Sequence, residues 1–457
     1  MNRRQFIRRS SLSLAGIYFL PSLLTSCKKE EYLEDSTFEG SVAIIGAGAA
    51  GLYAAHLLSK RGIPVKVFEA SDRIGGRIKP LTGFASFPIE LGAEEIHGDN
   101  SVLYSLLANS DAQFVNWPGK EYYELDGLLV SETAIANDPD YLTTETTFNE
   151  LAQFTGGDTS ASTYGTLQGI TNRTAHIWNG WVGAEMGTSN DRLSIAGAAF
   201  QTANWAAGDP DFMLTNRDIL STLLDQMPGV SVLVQKNTPI VKINYQSNKV
   251  LLTDDQLNEY EADRVIITAP IPVLFSDAME FQPALPSLHR QAINSIGMGR
   301  GYKLILKFNA PFWPADMGSL YTAGLVPLYW PTASQRSGSD FLLTAFIMGA
   351  HADQFATLHA NGEAISTILG ELGALFGSQV GPSFVDFHLM DWASEPWIGG
   401  AYSFPQPGTG EVRGLLAEPV EGKLFFAGEA THTGGHFGTV HGAMESGARA
   451  VAQVLKS

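Results

Sequence analysis

The chain has 457 residues, of which 44% are hydrophobic and 17% are charged, and its formal net charge is −18. Length and composition exclude a disordered chain and leave room for two hydrophobic cores. The strong negative charge argues against nucleic acid or an anionic membrane face as a partner. The only cysteine, Cys27, excludes an internal disulfide and a cysteine metal cluster, and no metal site is predicted.

The first 26 residues are predicted to be an export signal and not part of the fold. Two arginine pairs, at positions 3–4 and 8–9, precede an apolar stretch of roughly fourteen residues that is too short to span a bilayer. This order is typical of a twin-arginine signal. The stretch ends in a sequence that resembles a bacterial lipobox, so Cys27 is the predicted lipid attachment site. We expect an exported, membrane-anchored bacterial lipoprotein on the periplasmic or cell-surface side, with residues 27–39 as a tether.

A strand, a glycine turn and a helix follow the tether and predict a dinucleotide site. In the run from Val42, Gly46 provides a tight turn and Gly48 lets the backbone approach a pyrophosphate. Gly51, after Ala50, lets the helix pack against the strand, and the helix N-terminus favours an anion. The second strand ends at Glu69, whose carboxylate is placed to accept hydrogen bonds from a ribose diol.

Further glycine motifs identify the dinucleotide. Gly75-Gly76-Arg77 follows Glu69, and two glycine-containing blocks occur near residues 428 and 438. Together these blocks resemble the flavin-containing amine oxidase family, which includes monoamine and polyamine oxidases. The resemblance implies bound FAD, with Arg77 at its phosphates and Glu429 beside its ribityl or phosphate groups. It also implies that other residues of these blocks, and of a block near residue 92, contact FAD: Gly76, Gly92, Ala93, Gly428, Gly438, Thr439 and Val440.

Two middle blocks extend the resemblance. A backbone group near Val241 is implied to meet the adenine. Lys303 lies in an alternating apolar run that predicts a strand, at the position where the family places a lysine that holds a water against flavin N5. We therefore interpret Lys303 as a catalytic residue.

The block from Trp392 to Tyr402 resembles the family's substrate wall. Tyr402 matches one of the two aromatic residues that enclose the amine in monoamine oxidases, and we interpret it as catalytic; Thr439 occupies the position of the other. Trp397 is a candidate to replace the missing aromatic residue in contact with substrate. Because Ala401 stands where monoamine oxidases have a cysteine linked to flavin, the FAD is predicted to be bound non-covalently.

The block Glu94-Glu95-Ile-His97 bears on the substrate. His97 keeps a position that faces the substrate in polyamine oxidases, whereas Glu95 replaces an aromatic residue. A carboxylate near the flavin suits a cationic amine. The arginine that would bind an amino acid carboxylate is missing from positions 94 and 95, which favours an amine over an amino acid.

The resemblance implies a mixed α/β, two-domain, Rossmann-like FAD/NAD(P)-binding fold. The motifs are scattered, so the FAD-binding domain is predicted to combine residues 40–100, 220–285 and 396–457. The substrate domain, a sheet with helices, would combine residues 101–219 and 286–395, with mainly helices and loops over 100–230.

The implied reaction is hydride transfer from the carbon beside an amine nitrogen to FAD. It gives an imine, which hydrolyses to an aldehyde and ammonia or an amine, and hydrogen peroxide when molecular oxygen accepts the electrons. Three alternatives stay open: an L-amino acid oxidase, a flavin desaturase like phytoene desaturase or protoporphyrinogen oxidase, and a lipoprotein that holds FAD without turnover. The sequence does not specify the amine, the electron acceptor or the oligomeric state.

Overall fold

A computed structural model describes residues 38–457 except residues 118, 277, 337 and 339. The predicted export signal, Cys27 and nearly all of the tether lie outside the described residues. Within them, no helix combines the length and the apolar character needed to cross a membrane.

The strands of the described chain are short and come from every part of the sequence: β1 Val42–Ile45, β2 Val65–Phe68, β3 Pro80–Leu81, β4 Ile89–Glu90, β5 Ile96–His97, β6 Phe114–Asn116, β7 Lys120–Leu125, β8 Leu128–Ser131, β9 Asp211–Leu214, β10 Val234–Gln235, β11 Ile240–Asn244, β12 Val250–Asp254, β13 Glu259–Ala262, β14 Arg264–Ile267, β15 Glu280–Gln282, β16 Ile296–Met298, β17 Gly301–Phe308, β18 Met317–Tyr321, β19 Leu328–Pro331, β20 Phe341–Met348, β21 Phe384–Asp391, β22 Ser403–Pro405 and β23 Leu424–Phe426.

The α-helices of the described chain pack against these strands: α1 Ala49–Ser59, α2 Val102–Leu107, α3 Glu132–Ile135, α4 Pro139–Asn149, α5 Ala161–Leu167, α6 Ala175–Trp178, α7 Ile195–Ala203, α8 Ile219–Asp225, α9 Ile271–Phe275, α10 Ser287–Ser295, α11 Gly349–Ala360, α12 Ala364–Phe376, α13 Val380–Ser383, α14 Arg413–Ala417 and α15 Val440–Leu455. One turn of π-helix spans Asn179–Ala184.

A five-stranded parallel sheet forms the nucleotide-binding half, in the order β10-β2-β1-β14-β23. Its strands are apolar on both faces, because each face is covered by a separate hydrophobic cluster. They derive from three separated stretches of chain. The exact domain boundaries stay a prediction.

Helix α1 starts directly after β1 because Gly46 makes the turn with a φ of +102°, in the region that favours glycine. Gly51 brings α1 close to this turn, since a Cβ at that position would lie 2.0 Å from the Gly46 carbonyl oxygen. The C-terminal helix α15 packs along α1 in the same manner, through Gly447.

A seven-stranded mixed sheet forms the second half, in the order β21-β17-β20-β19-β18-β7-β8. Along β17, Tyr302, Leu304 and Leu306 face a cluster that includes α11 and α12. Side chains alternate along a strand, so Lys303 faces the opposite side, toward the other half of the molecule.

Helices and loops predominate over residues 100–230, but strands occur there as well. Four strands occur there, of which β7 and β8 join the large sheet, while β6 and β9 pair with β5 in a small one. The sequence pattern does not reveal β6 and β9, because these strands are only three and four residues long. Two small sheets position the site: β5 pairs with β9, and β16 pairs with β22.

Candidate active site

One cavity of about 620 Å³ runs from the glycine turn after β1 to Lys303 on β17. Its walls come from both halves of the molecule. Nearly all of the predicted cofactor and substrate residues line it: Gly46, Gly48, Ala50, Glu69, Gly76, Arg77, Gly92, Ala93, Glu95, His97, Lys303, Trp397, Tyr402, Gly428, Glu429, Gly438, Thr439 and Val440.

The glycine end of the cavity fits a pyrophosphate. Gly48 is the N-cap of α1 and offers no side chain, so the first N–H groups of the helix face the cavity. Gly48 and Gly76 pass each other closely, since a Cβ on Gly76 would lie 3.2 Å from the Gly48 Cα atom. Two approaching glycines leave a backbone cradle that any larger side chain would fill.

Glu69 lies beside this cradle with its carboxylate fixed. Its two oxygens accept hydrogen bonds from the Ala47 N–H at 2.8 Å and the Ser71 N–H at 2.9 Å. The carboxylate still lines the cavity, so it has lone pairs for a ribose diol.

Two predicted cofactor residues do not line the cavity. Gly51 acts by packing, because it sets the distance between α1 and the turn. Val241 is displaced from the wall, and Ile240 lines the cavity in its place. The reason is an irregularity in the pairing of β11 with β12, which falls between Ile240 and Lys242 and shifts the register by one residue.

Glu429 is buried among cations and donors. Arg77 Nη1 donates to it at 2.9 Å, as do the Ser403 hydroxyl at 2.6 Å and the Gly438 N–H at 2.8 Å. Burial alone would raise the pKa of Glu429, but Arg77 and Arg413 hold it below the ordinary value. This ionised carboxylate therefore ties the Gly76-Arg77 turn to the C-terminal motif across the cavity.

Lys303 is buried, with 3% of its side chain exposed, and its ammonium contacts a carboxylate that is buried to a similar degree. Nζ donates to Glu94 Oε2 at 2.5 Å and to the Gly92 carbonyl at 3.4 Å, and it lies 5.3 Å from the centroid of the Trp330 ring. Glu94 is therefore engaged by Lys303, so of the two adjacent acids only Glu95 remains for an amine.

Behind Glu94 lie two ionisable residues that had no signal in the sequence. Arg336 Nη2 lies 4.0 Å from Glu94, and burial lowers the pKa of this guanidinium. Glu90 accepts a hydrogen bond from the Ile219 N–H at 2.6 Å, and burial raises its pKa to about 8. No spacing in the sequence connects Arg336 to the other residues, because only the folding of the loop after β19 brings it there.

Tyr402 lines the cavity with its ring against Gly438, and its hydroxyl donates to the Glu185 carbonyl at 2.9 Å. Thr439 has a structural task as well, since its hydroxyl caps α15 by accepting from the Gly442 N–H at 3.0 Å. Trp397 adopts a φ of +65° and is 37% exposed, so it covers the rim of the cavity. Additional aromatic wall residues are Trp330, Phe346 and Phe437.

His97 and two carboxylates form a cluster at the cavity wall. His97 Nδ1 lies 2.8 Å from Asp211 and 3.7 Å from Glu95. The first contact follows from the register, because His97 and Asp211 are paired residues of β5 and β9. Glu185, at the end of the π-helical turn, contributes a further half-buried acid to the cavity. Neither Asp211 nor Glu185 carried a signal in the sequence, since each depends on tertiary pairing.

A second histidine cluster, formed by His432, His436 and Glu445, lies near His97. Glu445 accepts from His432 Nε2 and His436 Nδ1, both at 2.7 Å. The outer ring nitrogens accept backbone N–H groups, from Gly434 to His432 and from Ala206 to His436. In this arrangement the ring nitrogens that face Glu445 donate, and the outer nitrogens accept. This pattern does not suit a metal ligand, whose outer nitrogen normally carries a proton and donates.

The parallel sheet carries a glycine cradle at the carboxyl end of β1, and it faces a second sheet across a shared cavity. This arrangement defines a dinucleotide-dependent oxidoreductase with two halves. The comparison with protein families makes the class specific. Residues 49–455 match the family model described as "Flavin containing amine oxidoreductase". The chain belongs to this family and is an FAD-dependent oxidoreductase.

Curated relatives cover the whole chain. Human lysine-specific histone demethylase 2 is 28% identical over 486 aligned positions, which span 98% of this chain and 57% of the demethylase. The chain thus spans only a little over half the length of that relative. Polyamine oxidase 4 of Oryza sativa subsp. japonica is also 28% identical, over 98% of this chain and 93% of the relative.

Solved structures share the fold. A putrescine oxidase variant matches with a TM-score of 0.80 and 22% identity, over 92% of this chain and 99% of that one. Cyclohexylamine oxidase from Brevibacterium oxydans IH-35A matches with a TM-score of 0.78 and 22% identity, over the same shares of the two chains. At this identity the likeness describes the fold alone, and it confirms the predicted mixed α/β architecture.

Proposed function

We propose that the protein oxidises the C–N bond of an amine that carries a second, distal positive charge, with molecular oxygen as electron acceptor. FAD, when bound, supplies the hydride acceptor. The observation that carries the proposal is the pair of carboxylates, Glu185 and Glu95, on the wall of a cavity that also contains Lys303. The protein's own contribution is to bind the cation, orient the reacting carbon and exclude water.

Glu185 is the stronger of the two candidate cation ligands. It is half-buried, and no hydrogen bond or ion pair of its carboxylate occurs within the described part of the chain. A partly desolvated carboxylate without a counterion favours a cation, because the local dielectric is lower than in water. Glu95 differs, since it already lies near His97.

The aromatic wall suits the remaining part of an amine. Trp330, Phe346, Phe437 and Tyr402 present apolar surface to the cavity. Aromatic faces attract ammonium groups and pack against methylene chains, so the same wall serves both parts of an aliphatic amine. Apolar packing also keeps water from the reacting carbon.

An amino acid would lack an arginine partner for its carboxylate in the described cavity. The arginines that line the described cavity are Arg73 and Arg77, both at the nucleotide end. Arg73 pairs with Glu395, and Arg77 pairs with Glu429. Arg336 is buried behind Glu94 and does not line the cavity. This distribution favours amines over L-amino acids.

The names of the relatives agree with this substrate class. The polyamine oxidase and the putrescine oxidase are named for amines with more than one nitrogen. The histone demethylases act, by their name, on a lysine of a protein. A lysine side chain also presents a cationic nitrogen on an aliphatic chain, so it belongs in the test.

The deciding experiment is anaerobic mixing of the purified protein with amines while the flavin absorbance is followed. The panel contains matched monoamines and diamines of equal chain length, a polyamine, a lysine-containing peptide and L-amino acids. We expect diamines or polyamines to bleach the flavin at the lowest concentrations, and peroxide to form when air is admitted. Bleaching by amino acids alone, or by no amine, would refute the proposal.

The variant Glu185→Gln keeps the shape of the side chain and removes its charge. We expect it to raise the diamine concentration needed for half-maximal bleaching about tenfold, which corresponds to about 1.4 kcal/mol. The matched monoamine provides the control, because it lacks the distal charge and its concentration dependence should not change. An equal loss for both amines would show that Glu185 is structural.

We further propose that the mature protein is exported by the twin-arginine route and anchored through a lipid on Cys27. The support is the order of arginine pairs, apolar stretch and Leu24-Thr-Ser-Cys27. Mass spectrometry of the protein extracted from membranes should show a lipidated N-terminal Cys27. Cys27→Ser should release the protein from the membrane fraction. A full-length chain without a lipid on Cys27 in the membrane fraction would contradict both the export and the lipid anchor.

A further inference from the structure

Lys303 and Glu94 form an ion pair inside the protein, with 3% and 4% of their side chains exposed. Two charges at such a depth depend on each other, because removing one leaves the other unpaired in a medium of low dielectric. The pair is also shared with the cavity, since both residues line it. The contact therefore controls a charge that faces the flavin site.

The geometry shows how the lysine is oriented. Of the three N–H donors of the ammonium, one meets Glu94 at 2.5 Å and another points to the Gly92 carbonyl at 3.4 Å. Both acceptors belong to the segment after β4, so this segment grips the ammonium from one side. Trp330 covers another side, with its ring centroid 5.3 Å from Nζ. The third donor is left for the cavity.

Arg336 lies behind Glu94 without a hydrogen bond to it. Its Nη2 lies 4.0 Å from Glu94 Oε1, and it donates to the Leu214 carbonyl at 3.1 Å, while Nη1 donates to the Thr332 carbonyl at 3.2 Å. Its guanidinium also lies 4.6 Å from the centroid of the Phe87 ring. Glu94 thus lies between two buried cations, and the hydrogen bond to its carboxylate comes from Lys303.

We propose that Glu94 is a positioning residue for Lys303, which keeps the ammonium charged and directed into the cavity so that the two side chains act on the flavin site as one unit. The inference rests on the proposed oxidase function, in which Lys303 serves the reaction of the flavin with oxygen.

The test uses the FAD-loaded protein after photochemical reduction without any amine. The reduced protein is mixed with oxygenated buffer, and reoxidation is followed over a range of pH. In Glu94→Gln the carboxylate charge is lost while the shape is kept. We expect reoxidation at alkaline pH to slow about tenfold or more and to recover on acidification. The same profile in a Glu90→Gln background excludes the titration of Glu90, whose pKa is about 8, as its cause. Lys303→Met should be slow at every pH.

The double variant separates a shared role from two independent ones. If Glu94 acts through Lys303, Glu94→Gln combined with Lys303→Met should reoxidise at the rate of Lys303→Met alone. The control variant is Glu121→Gln, which removes a buried carboxylate bonded to Tyr123 and distant from the cavity walls. Its reoxidation should match that of the unchanged protein.

Thermal unfolding of the FAD-free protein gives a second readout. Glu94→Gln should lower the unfolding temperature because it leaves a buried ammonium unpaired, and the double variant should recover part of the loss. Should Glu94→Gln fail to fold, Glu94→Asp retains the charge at a greater distance and is expected to slow reoxidation without the acid recovery.

Three results would overturn the inference. The first is reoxidation of Glu94→Gln at the rate of the unchanged protein at every pH, and the second is a slow reoxidation of Glu94→Gln that does not depend on pH. The third is reoxidation of Lys303→Met at the rate of the unchanged protein. None of these measurements uses an amine. A failure of the amine panel would therefore refute the proposed substrate and leave this test intact.

Discussion

Gly51 gives the most direct test of how the nucleotide site is built. In Gly51→Ala, the new methyl group would lie 2.0 Å from the Gly46 carbonyl oxygen and 3.1 Å from its carbon, whereas real Cβ atoms essentially never approach other atoms below 3.0 Å. Both neighbours are backbone atoms and cannot rotate away. Helix α1 must therefore move by about 1 Å relative to the turn that it follows.

The displacement has a calculable consequence. Overpacking of a close helix–strand contact destabilises a protein by about 1–3 kcal/mol. If the same penalty falls on the cofactor complex, FAD affinity falls about 5- to 150-fold. Titration of the FAD-free protein with FAD, followed by flavin fluorescence, measures the affinity, and thermal unfolding measures the stability.

Gly370→Ala is the matched control. Gly370 lies inside α12, and a Cβ there would meet nothing within 4 Å. Alanine is the better helix former, so this variant should be stabilised by about 0.5–1 kcal/mol with unchanged FAD affinity. Wild-type FAD affinity and stability in Gly51→Ala would show that α1 does not need this close approach.

Other variants test the buried charges and the cofactor. Burial raises the pKa of Glu90 to about 8, so the folded protein keeps a proton that the unfolded chain releases above pH 4.5. The free energy of unfolding should therefore decrease as the pH rises from 4.5 to about 8. In unfolding scans at several pH values, Glu90→Gln should show a smaller decrease. The pKa of Glu429 is lowered in the folded protein, so its contribution to stability is complete above the ordinary pKa of 4.5 and is lost as the pH falls through the folded pKa. The stability of Glu429→Gln should therefore depend less on pH in acid unfolding. Because Ala401 offers no thiol, acid precipitation should release all flavin, and flavin in the washed pellet would contradict this.

The nucleotide half was accessible from the sequence because its chemistry is local. Gly46, Gly48 and Glu69 lie within one strand-helix-strand unit, where the spacing alone defines which groups face the phosphates and ribose. Lys303 was accessible through the resemblance of its block to a family motif, while the alternation along β17 fixes the face on which it lies.

The substrate half could not be derived in this way. Glu185 reaches the cavity from a π-helical turn, and Asp211 reaches His97 only because β5 and β9 pair. Arg336 arrives through a loop. Val241 itself does not line the cavity whereas the adjacent Ile240 does, and the register irregularity between Ile240 and Lys242 cannot be read from the sequence. Tertiary contacts, not propensities, decide these positions.

The position of β23 at the edge of the parallel sheet has a consequence for synthesis. This strand pairs with β14, and the segment that follows it supplies Glu429 and Thr439 to the cavity. During synthesis β1 and β2 therefore emerge before the segment that completes the wall they face. A chain that stops between them has the glycine turn but no closed pocket, and tight flavin retention would report that this later segment has been made and has joined the sheet.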